Sequence, residues 1–315
     1  MVFFILLLIV LAALTYVLLS SILKPKTCVK ILSHVPEQPV WIPVPDRIPV
    51  WMFWDQTPFP EVIQLCWNNW NYWCRESKHN FIPVLVTNFN ITQFIDITAH
   101  SCFDPDKTYG PALRSDYIRL ALLARYGGVY MDATVIFTEP LDWVLGSNGK
   151  GLNFFQAFYN PNNMNISCKI PVIETSFLAA PVQHPLITKW LDLMLELKEC
   201  NTKEMERFTR NISKQANLDE NYHFAYHVMT KILMETPITE FGAYNIYNSI
   251  EYNFLNFQTN DMDTLTSPKK ARFGPLLKLV SHERKILEQK LSDNMISTGS
   301  FVDKYLIQMP SYAIP

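Results

Sequence analysis

The sequence has few charged residues and no excess of either sign. Lys, Arg, Asp and Glu make up 18% of its 315 residues, against about a quarter in an average protein. With 27 basic and 29 acidic side chains, its formal charge is −2. Proteins that bind nucleic acid through phosphate contacts present a strongly basic surface, so we do not expect a nucleic-acid partner. The six cysteines include no CxxC pair, which argues against a zinc site and leaves disulfides open.

Long apolar runs are scarce as well, with one exception at the start of the chain. Residues 2–23 contain no charged side chain, and no other stretch of that length is comparably apolar, which excludes a multi-span membrane protein. At 1.5 Å per residue this segment spans the roughly 30 Å core of a bilayer. It lacks a basic start and is longer than the apolar part of a cleaved signal peptide. We therefore predict an uncleaved transmembrane anchor over residues 1–23.

The side of the membrane on which the remaining chain lies stays open. Lys24, Lys26 and Lys30 follow the apolar segment and no basic residue precedes it, which by the positive-inside rule favours the cytoplasm. Three N-glycosylation sequons would suit the lumen of a eukaryotic ER or Golgi, but roughly three are expected by chance. We expect a single-pass membrane protein of either orientation.

Behind the anchor, the order of predicted elements indicates an α/β domain. Residues 24–48 hold five prolines and little periodicity, which is typical of an extended stem. Strand and helix patterns then alternate, as in layered α/β folds with a largely parallel sheet. We therefore predict one α/β domain over residues 49–315. Its strands are expected at 49–54, 81–86, 129–137 and 176–180, and its helices at 61–75, 113–125, 184–199 and 222–234.

The clearest chemical pattern is RSDYIRLALLARYGGVYMDAT at residues 114–134. Asp116 and Arg119 are three residues apart on a predicted helix and share one face, where they could also be a plain surface ion pair. Asp132 follows a Gly pair and stands where the next strand must end or bend. Ligands of parallel sheets gather at the carboxyl ends of strands, so these three side chains are expected to converge on one ligand. Two carboxylates and a planar Arg donor suit a phosphorylated sugar.

The spacing SDxxRxxLLxxxGGxYxDxx resembles the donor site of glycosyltransferases with an Asp-X-Asp (DXD) motif. These include the capsular polysaccharide synthesis family and the Och1-type mannosyltransferases. PVWMFWDQ, from residue 49 on, resembles their first strand, and the similarity covers about residues 49–140. The resemblance implies a Rossmann-like GT-A fold and transfer of a hexose from a nucleotide-sugar donor to a hydroxyl of a glycan or polysaccharide. It also implies metal assistance and retention of the anomeric configuration.

The resemblance assigns roles in donor binding to four residues. Trp54 is expected to stack on the donor's base. Asp116, Arg119 and Asp132 are expected to contact the donor sugar or ribose. Asp132, the first acid of the DXD motif, is also the predicted catalytic residue.

The expected cofactor is a divalent cation, Mn²⁺, but the motif departs from the family pattern. Thr134 stands where the second acid is expected and offers only a neutral oxygen. The predicted cation ligands are Asp132, Thr134 and, from the C-terminal region, His282, with Lys278 nearby. A solvated residue of a basic helix is the alternative interpretation of His282, and the sequence favours it over a metal ligand. The change at Thr134 leaves a second function open, a non-catalytic sugar- or nucleotide-binding relative that has lost transfer activity.

Overall fold

A computed structural model describes residues 46–103, 110–146, 152–163, 170–199, 202–216, 218–219 and 223–314. The predicted anchor and nearly all of the predicted stem lie outside these ranges. Among the residues that are described, no helix combines the length and apolar character needed to cross a bilayer.

The described part of the chain contains eight strands and eight α-helices. The strands are β1 (Ile48–Phe53), β2 (Phe81–Val86), β3 (Gly128–Met131), β4 (Val135–Phe137), β5 (Phe155–Tyr159), β6 (Ile173–Ala180), β7 (Tyr244–Asn248) and β8 (Leu276–Lys278). The helices are α1 (Glu61–Glu76), α2 (Pro111–Tyr126), α3 (Pro185–Glu199), α4 (Thr202–Ser213), α5 (Phe224–Glu235), α6 (Asn256–Thr259), α7 (Met262–Thr266) and α8 (Ser281–Ser292).

The central sheet has six strands in the order β2-β1-β3-β6-β5-β7. β1 is parallel to both β2 and β3, and β5 is parallel to β7. β6 is antiparallel to both of its neighbours, β3 and β5. The sheet is therefore mixed and not largely parallel as predicted. β4 and β8 form a separate antiparallel pair.

Helices cover both faces of this sheet, as the alternation along β1 shows. Val50 and Met52 pack with Trp70 of α1, whereas Trp51 and Phe53 pack with α2 on the opposite face. A strand buried on both sides carries apolar residues at consecutive positions, which explains the continuous apolar run PVWMF. The run begins at Ile48, one residue inside the predicted stem.

The strand predicted over residues 129–137 is divided between the two sheets. The backbone N–H of Asp132 still donates to Ser176 O of β6 at 3.0 Å, but that of Val135 donates back to Asp132 O at 2.9 Å. This tight turn ends β3 and sends β4 towards β8. The prediction of one continuous strand was wrong, because period-two alternation does not reveal a turn between two short strands.

Gly127 joins α2 to β3, and Gly128 is the first residue of β3. Gly127 and Gly128 have φ values of 63° and 97°, which only glycine adopts readily. A Cβ on Gly128 would lie 2.4 Å from Pro49 O. The Gly pair thus lets β3 run directly alongside β1, and this brings the end of α2 close to the central strands.

Candidate functional site

The structure brings together three of the predicted site residues. Asp116 and Arg119 lie on α2, and Asp132 follows β3. Nη2 of Arg119 is 3.1 Å from Asp116 Oδ1 and 3.3 Å from Asp132 Oδ1. One guanidinium therefore bridges two carboxylates, at the end of β3 where the sequence placed them.

Arg119 is held on several sides by the protein. Its Nε donates to Ser115 O at 3.3 Å, its Nη2 donates to Ser115 Oγ at 3.0 Å, and its Nη1 donates to Thr175 O. The guanidinium also lies over the ring of Tyr130, 4.8 Å from the centroid. Burial lowers the pKa of Arg119, but Asp116 and Asp132 outweigh it and raise the pKa above its ordinary value. Arg119 is thus a fixed, permanently charged centre that orients both carboxylates.

The two carboxylates differ in their electrostatics. Burial raises the pKa of Asp116 to about 6, against the opposing effect of Arg119. Burial also disfavours the ionised form of Asp132, but Lys278 and Arg119 outweigh it and hold its pKa below the ordinary value. The side chain of Asp132 is 26% exposed, against 11% for Asp116. Asp132 is therefore the ionised carboxylate that a ligand can reach.

Lys278, from the C-terminal region of the chain, completes this cluster. It lies on β8, opposite Val135 of β4. Its Nζ is 2.8 Å from Asp132 Oδ2 and donates to Thr134 Oγ1 at 2.7 Å. The sequence indicated Lys278 only as a neighbour of His282, because nothing in it reveals the pairing of β4 with β8.

The predicted cation ligands do not form a fitting donor set as they are arranged. Thr134 Oγ1 accepts from Lys278 and donates to Leu279 O at 2.6 Å, so its oxygen is already engaged on both sides. Both oxygens of Asp132 face cationic side chains, whereas a divalent cation prefers several anionic or carbonyl oxygens. His282 is exposed in the first turn of α8. Within the described ranges, no three His, Cys, Asp or Glu side chains form a group that could hold a metal. The manganese site stays a prediction that this arrangement does not favour.

Trp54, the predicted stacking residue, directly follows β1. Its backbone N–H donates to Val86 O at 3.0 Å, which continues the pairing with β2. The guanidinium of Arg284, on α8, lies 5.4 Å from the centre of its ring. The indole Nε1 is buried and has no hydrogen-bond partner among the described residues. Arg284 thus lies over one face of the Trp54 ring, and the stacking role of Trp54 stays a prediction.

A further carboxylate, that of Glu174, lies close to the cluster and was not among the residues predicted from the sequence. Glu174 is the second residue of β6, is 6% exposed, and its Oε2 accepts a 3.0 Å hydrogen bond from the hydroxyl of Tyr226. Burial raises its pKa to about 7, and Asp132 contributes to this shift. A charged residue at the start of the apolar run IETSFLAA was the available signal.

Several solved structures are similar to this chain at low sequence identity. A glycosyltransferase involved in the glycosylation of the major capsid of PBCV-1 is 11% identical, with 77% of this chain and 99% of that chain covered and a TM-score of 0.41. The PaToxG glycosyltransferase is 16% identical, with 61% and 70% covered and a TM-score of 0.34. The UDP-bound glycosyltransferase domain of the YGT toxin is 12% identical, with 85% and 95% covered and a TM-score of 0.33.

A family model decides the assignment. No curated protein matches the chain. The model of the capsular polysaccharide synthesis protein family matches residues 18–262, which is well over half of the 315 residues. This match confirms the resemblance found in the sequence and the expectation of a glycosyltransferase. The chain belongs to the capsular polysaccharide synthesis protein family.

Proposed function

We propose that the protein transfers a hexose from a nucleotide-sugar donor to a hydroxyl of a glycan or polysaccharide. The observation that carries this proposal is the contact of Asp116 and Asp132 with the single buried guanidinium of Arg119. Carboxylates fixed in this way can accept hydrogen bonds from the hydroxyls of a donor sugar without reorganising. Asp132, with the more exposed side chain, is the proposed catalytic residue. The mixed sheet with helices on both faces supports a GT-A arrangement.

The reaction breaks the bond between the anomeric carbon and the diphosphate oxygen and forms one to the acceptor oxygen. The nucleoside diphosphate leaves with the bonding electron pair, and its departing oxygen takes up the proton that the acceptor hydroxyl gives up. Negative charge grows on the leaving group, so positive groups placed beside it lower the barrier. The family resemblance supports retention of the anomeric configuration, which NMR of the first product formed would read directly.

Membrane attachment through residues 2–23 is part of the proposal and is supported by their uncharged, apolar run. An integral anchor keeps the full chain in the membrane fraction through an alkaline carbonate wash. Release of the chain by this wash would contradict the anchor and leave the proposed reaction untouched.

Substitution of Asp132 tests the proposed reaction. The full chain, purified in mild detergent, is incubated with a panel of nucleotide sugars and glycan acceptors, with EDTA or with MnCl₂, and nucleoside diphosphate release is measured. Asp132→Asn should lower the rate by at least about a hundredfold, as loss of a preorganised charged group commonly does. Asn keeps the shape of the side chain, so the variant should still unfold cooperatively, with a midpoint lowered by the loss of the ion pairs with Arg119 and Lys278.

Asp46→Asn is the matched control for this experiment. Asp46 is exposed and has a φ of 65°, a conformation that Asn also tolerates. The control should keep full activity. Full activity in Asp132→Asn as well would contradict the proposed site. Donor binding without any turnover in the unmodified protein would instead support the non-catalytic alternative.

A further inference from the structure

Lys278 lies directly beside the two residues, Asp132 and Thr134, at which the DXD pattern implies a divalent cation. Its Nζ is 2.8 Å from Asp132 Oδ2 and 2.7 Å from Thr134 Oγ1. We propose that this ammonium group, and not a metal ion, binds the donor's diphosphate and neutralises it as it leaves. The inference rests on the proposed glycosyl transfer and names the group that supplies the positive charge.

Compared with a DXD site and its divalent cation, this site has one carboxylate fewer, at Thr134, and a singly charged ammonium, that of Lys278, in place of the doubly charged ion. Two carboxylates of a DXD motif and one divalent cation sum to zero. Here one carboxylate, one neutral hydroxyl and one ammonium also sum to zero. The set at Asp132 therefore offers a diphosphate the same net charge without a metal ion. Mn²⁺ would add a third cationic centre to a cluster in which Arg119 and Lys278 already contact Asp132.

Lys278 also has a hydrogen-bond donor for a ligand. An ammonium has three donors, and among the described residues two side-chain oxygens, those of Asp132 and Thr134, contact its Nζ. Its side chain is 12% exposed, against 5% for that of Arg119, which several protein groups already hold. Of the two cations that contact Asp132, Lys278 is the one that an entering phosphate can reach.

The backbone fixes Lys278 before any ligand binds. Its N–H donates to Phe254 O at 2.6 Å, and β8 pairs it with Val135. The next residue, Leu279, donates to Thr134 O at 3.2 Å and accepts from the Thr134 hydroxyl. A charge held in place in this way needs no reorganisation during the reaction, which is the condition for strong electrostatic stabilisation. Lys278 lies beyond the residues matched by the family model, so its role is read from this chain's own contacts.

A second cation, Arg284, lies at the predicted base site. Arg284, on α8, is paired with Glu288, and its guanidinium lies 5.4 Å from the centre of the Trp54 ring. In a nucleotide sugar the diphosphate joins the nucleoside to the sugar. Lys278 contacts the proposed sugar-binding carboxylate, and Arg284 lies at the predicted stacking residue.

Nucleoside diphosphate binding tests the role of Lys278. UDP, GDP, ADP and CDP are titrated calorimetrically into the purified full chain, once with EDTA and once with MnCl₂. We expect one of them to bind with nearly the same dissociation constant in both buffers, and transfer to proceed in EDTA. Lys278→Met should weaken binding in EDTA by about tenfold to a hundredfold, the effect of losing one charge-assisted hydrogen bond.

Two further variants sharpen this test. Lys285→Met removes an exposed lysine of α8 and should leave binding unchanged. The double variant Thr134→Asp with Lys278→Met removes the ammonium and supplies the second carboxylate, so its binding should require MnCl₂. A double variant that binds equally well in EDTA would overturn the charge argument.

The outcomes separate this inference from the proposed function. Binding and transfer that require MnCl₂ in the unmodified protein overturn the role of Lys278 and leave glycosyl transfer standing. A chain that neither binds a nucleoside diphosphate nor turns over any donor refutes both proposals. The comparison of EDTA with MnCl₂ is made on the unmodified protein, so it tests whether a metal ion is required even where Lys278→Met fails to fold.

Discussion

Replacement of Glu174 by Gln should stabilise the protein at alkaline pH and leave it unchanged at acidic pH. Glu174 is buried at the start of β6 and accepts a hydrogen bond from Tyr226 at 3.0 Å. Gln has nearly the same shape, and its amide oxygen can accept the same hydrogen bond. The variant therefore removes the ionisable proton and little else.

The magnitude follows from the pKa of Glu174, which burial raises from 4.5 to about 7. Below pH 4.5 the carboxyl is neutral in both the folded and the unfolded chain, so it imposes no pH-dependent cost. Between pH 4.5 and about 7 the unfolded chain releases the proton while the folded chain keeps it, so stability falls as the pH rises. Above pH 7 the cost stays constant at about 3 kcal/mol. Gln carries no such cost.

Urea unfolding of the two proteins across pH 4 to 9 measures this difference. The free energy of unfolding of Glu174→Gln should exceed that of the unmodified protein by about 3 kcal/mol above pH 7, and the gap should close towards pH 4.5. Glu240→Gln, at an exposed position, controls for the loss of one negative charge. A gap that is independent of pH, or equally large in the control, would refute this explanation.

Three other substitutions probe the site and its support. Trp54→Ala should weaken binding of the nucleoside diphosphate with the lowest dissociation constant by about 1–3 kcal/mol in calorimetry, the usual contribution of stacking on a base. Unchanged affinity would mean that Trp54 only packs in the core. Arg119→Met should lower the free energy of unfolding by about 3–5 kcal/mol, because it leaves the buried carboxylate of Asp116 without its cationic partner, and a loss under 1 kcal/mol in urea titration would contradict that account. Gly128→Ala should destabilise the fold by more than about 1 kcal/mol, since its φ is 97° and a Cβ would lie 2.4 Å from Pro49 O. Wild-type stability in thermal unfolding would show that the backbone at Pro49 can move away from the added Cβ without cost.

Local patterns in the sequence located most of the elements that build the site. The predicted helices and strands are present with boundaries within three residues, apart from the run at 129–137. Helical periodicity placed Asp116 and Arg119 on one face, and the Gly pair marked the entry to β3. These features are local, because each depends on residues that are near neighbours in the chain.

The remaining parts of the site depend on pairings between distant segments. The antiparallel neighbours of β6 made the sheet mixed, and no short pattern specifies which strands become neighbours. For the same reason the sequence favoured His282 over Lys278, since both lie in KLVSHERK and only the pairing of β8 with β4 selects between them. Glu174 was missed because a buried carboxyl is identified by its surroundings and not by its neighbours in sequence.

The pairing of β4 with β8 also has a consequence for protein synthesis. Thr134 and Lys278 are separated by 144 residues. At about 5–20 residues per second, roughly 7–30 s pass between their incorporation into the growing chain. Until then Asp132 has Arg119 as its cationic neighbour, and β4 has no partner strand. The cluster at Asp132 is therefore completed only after translation has passed residue 278.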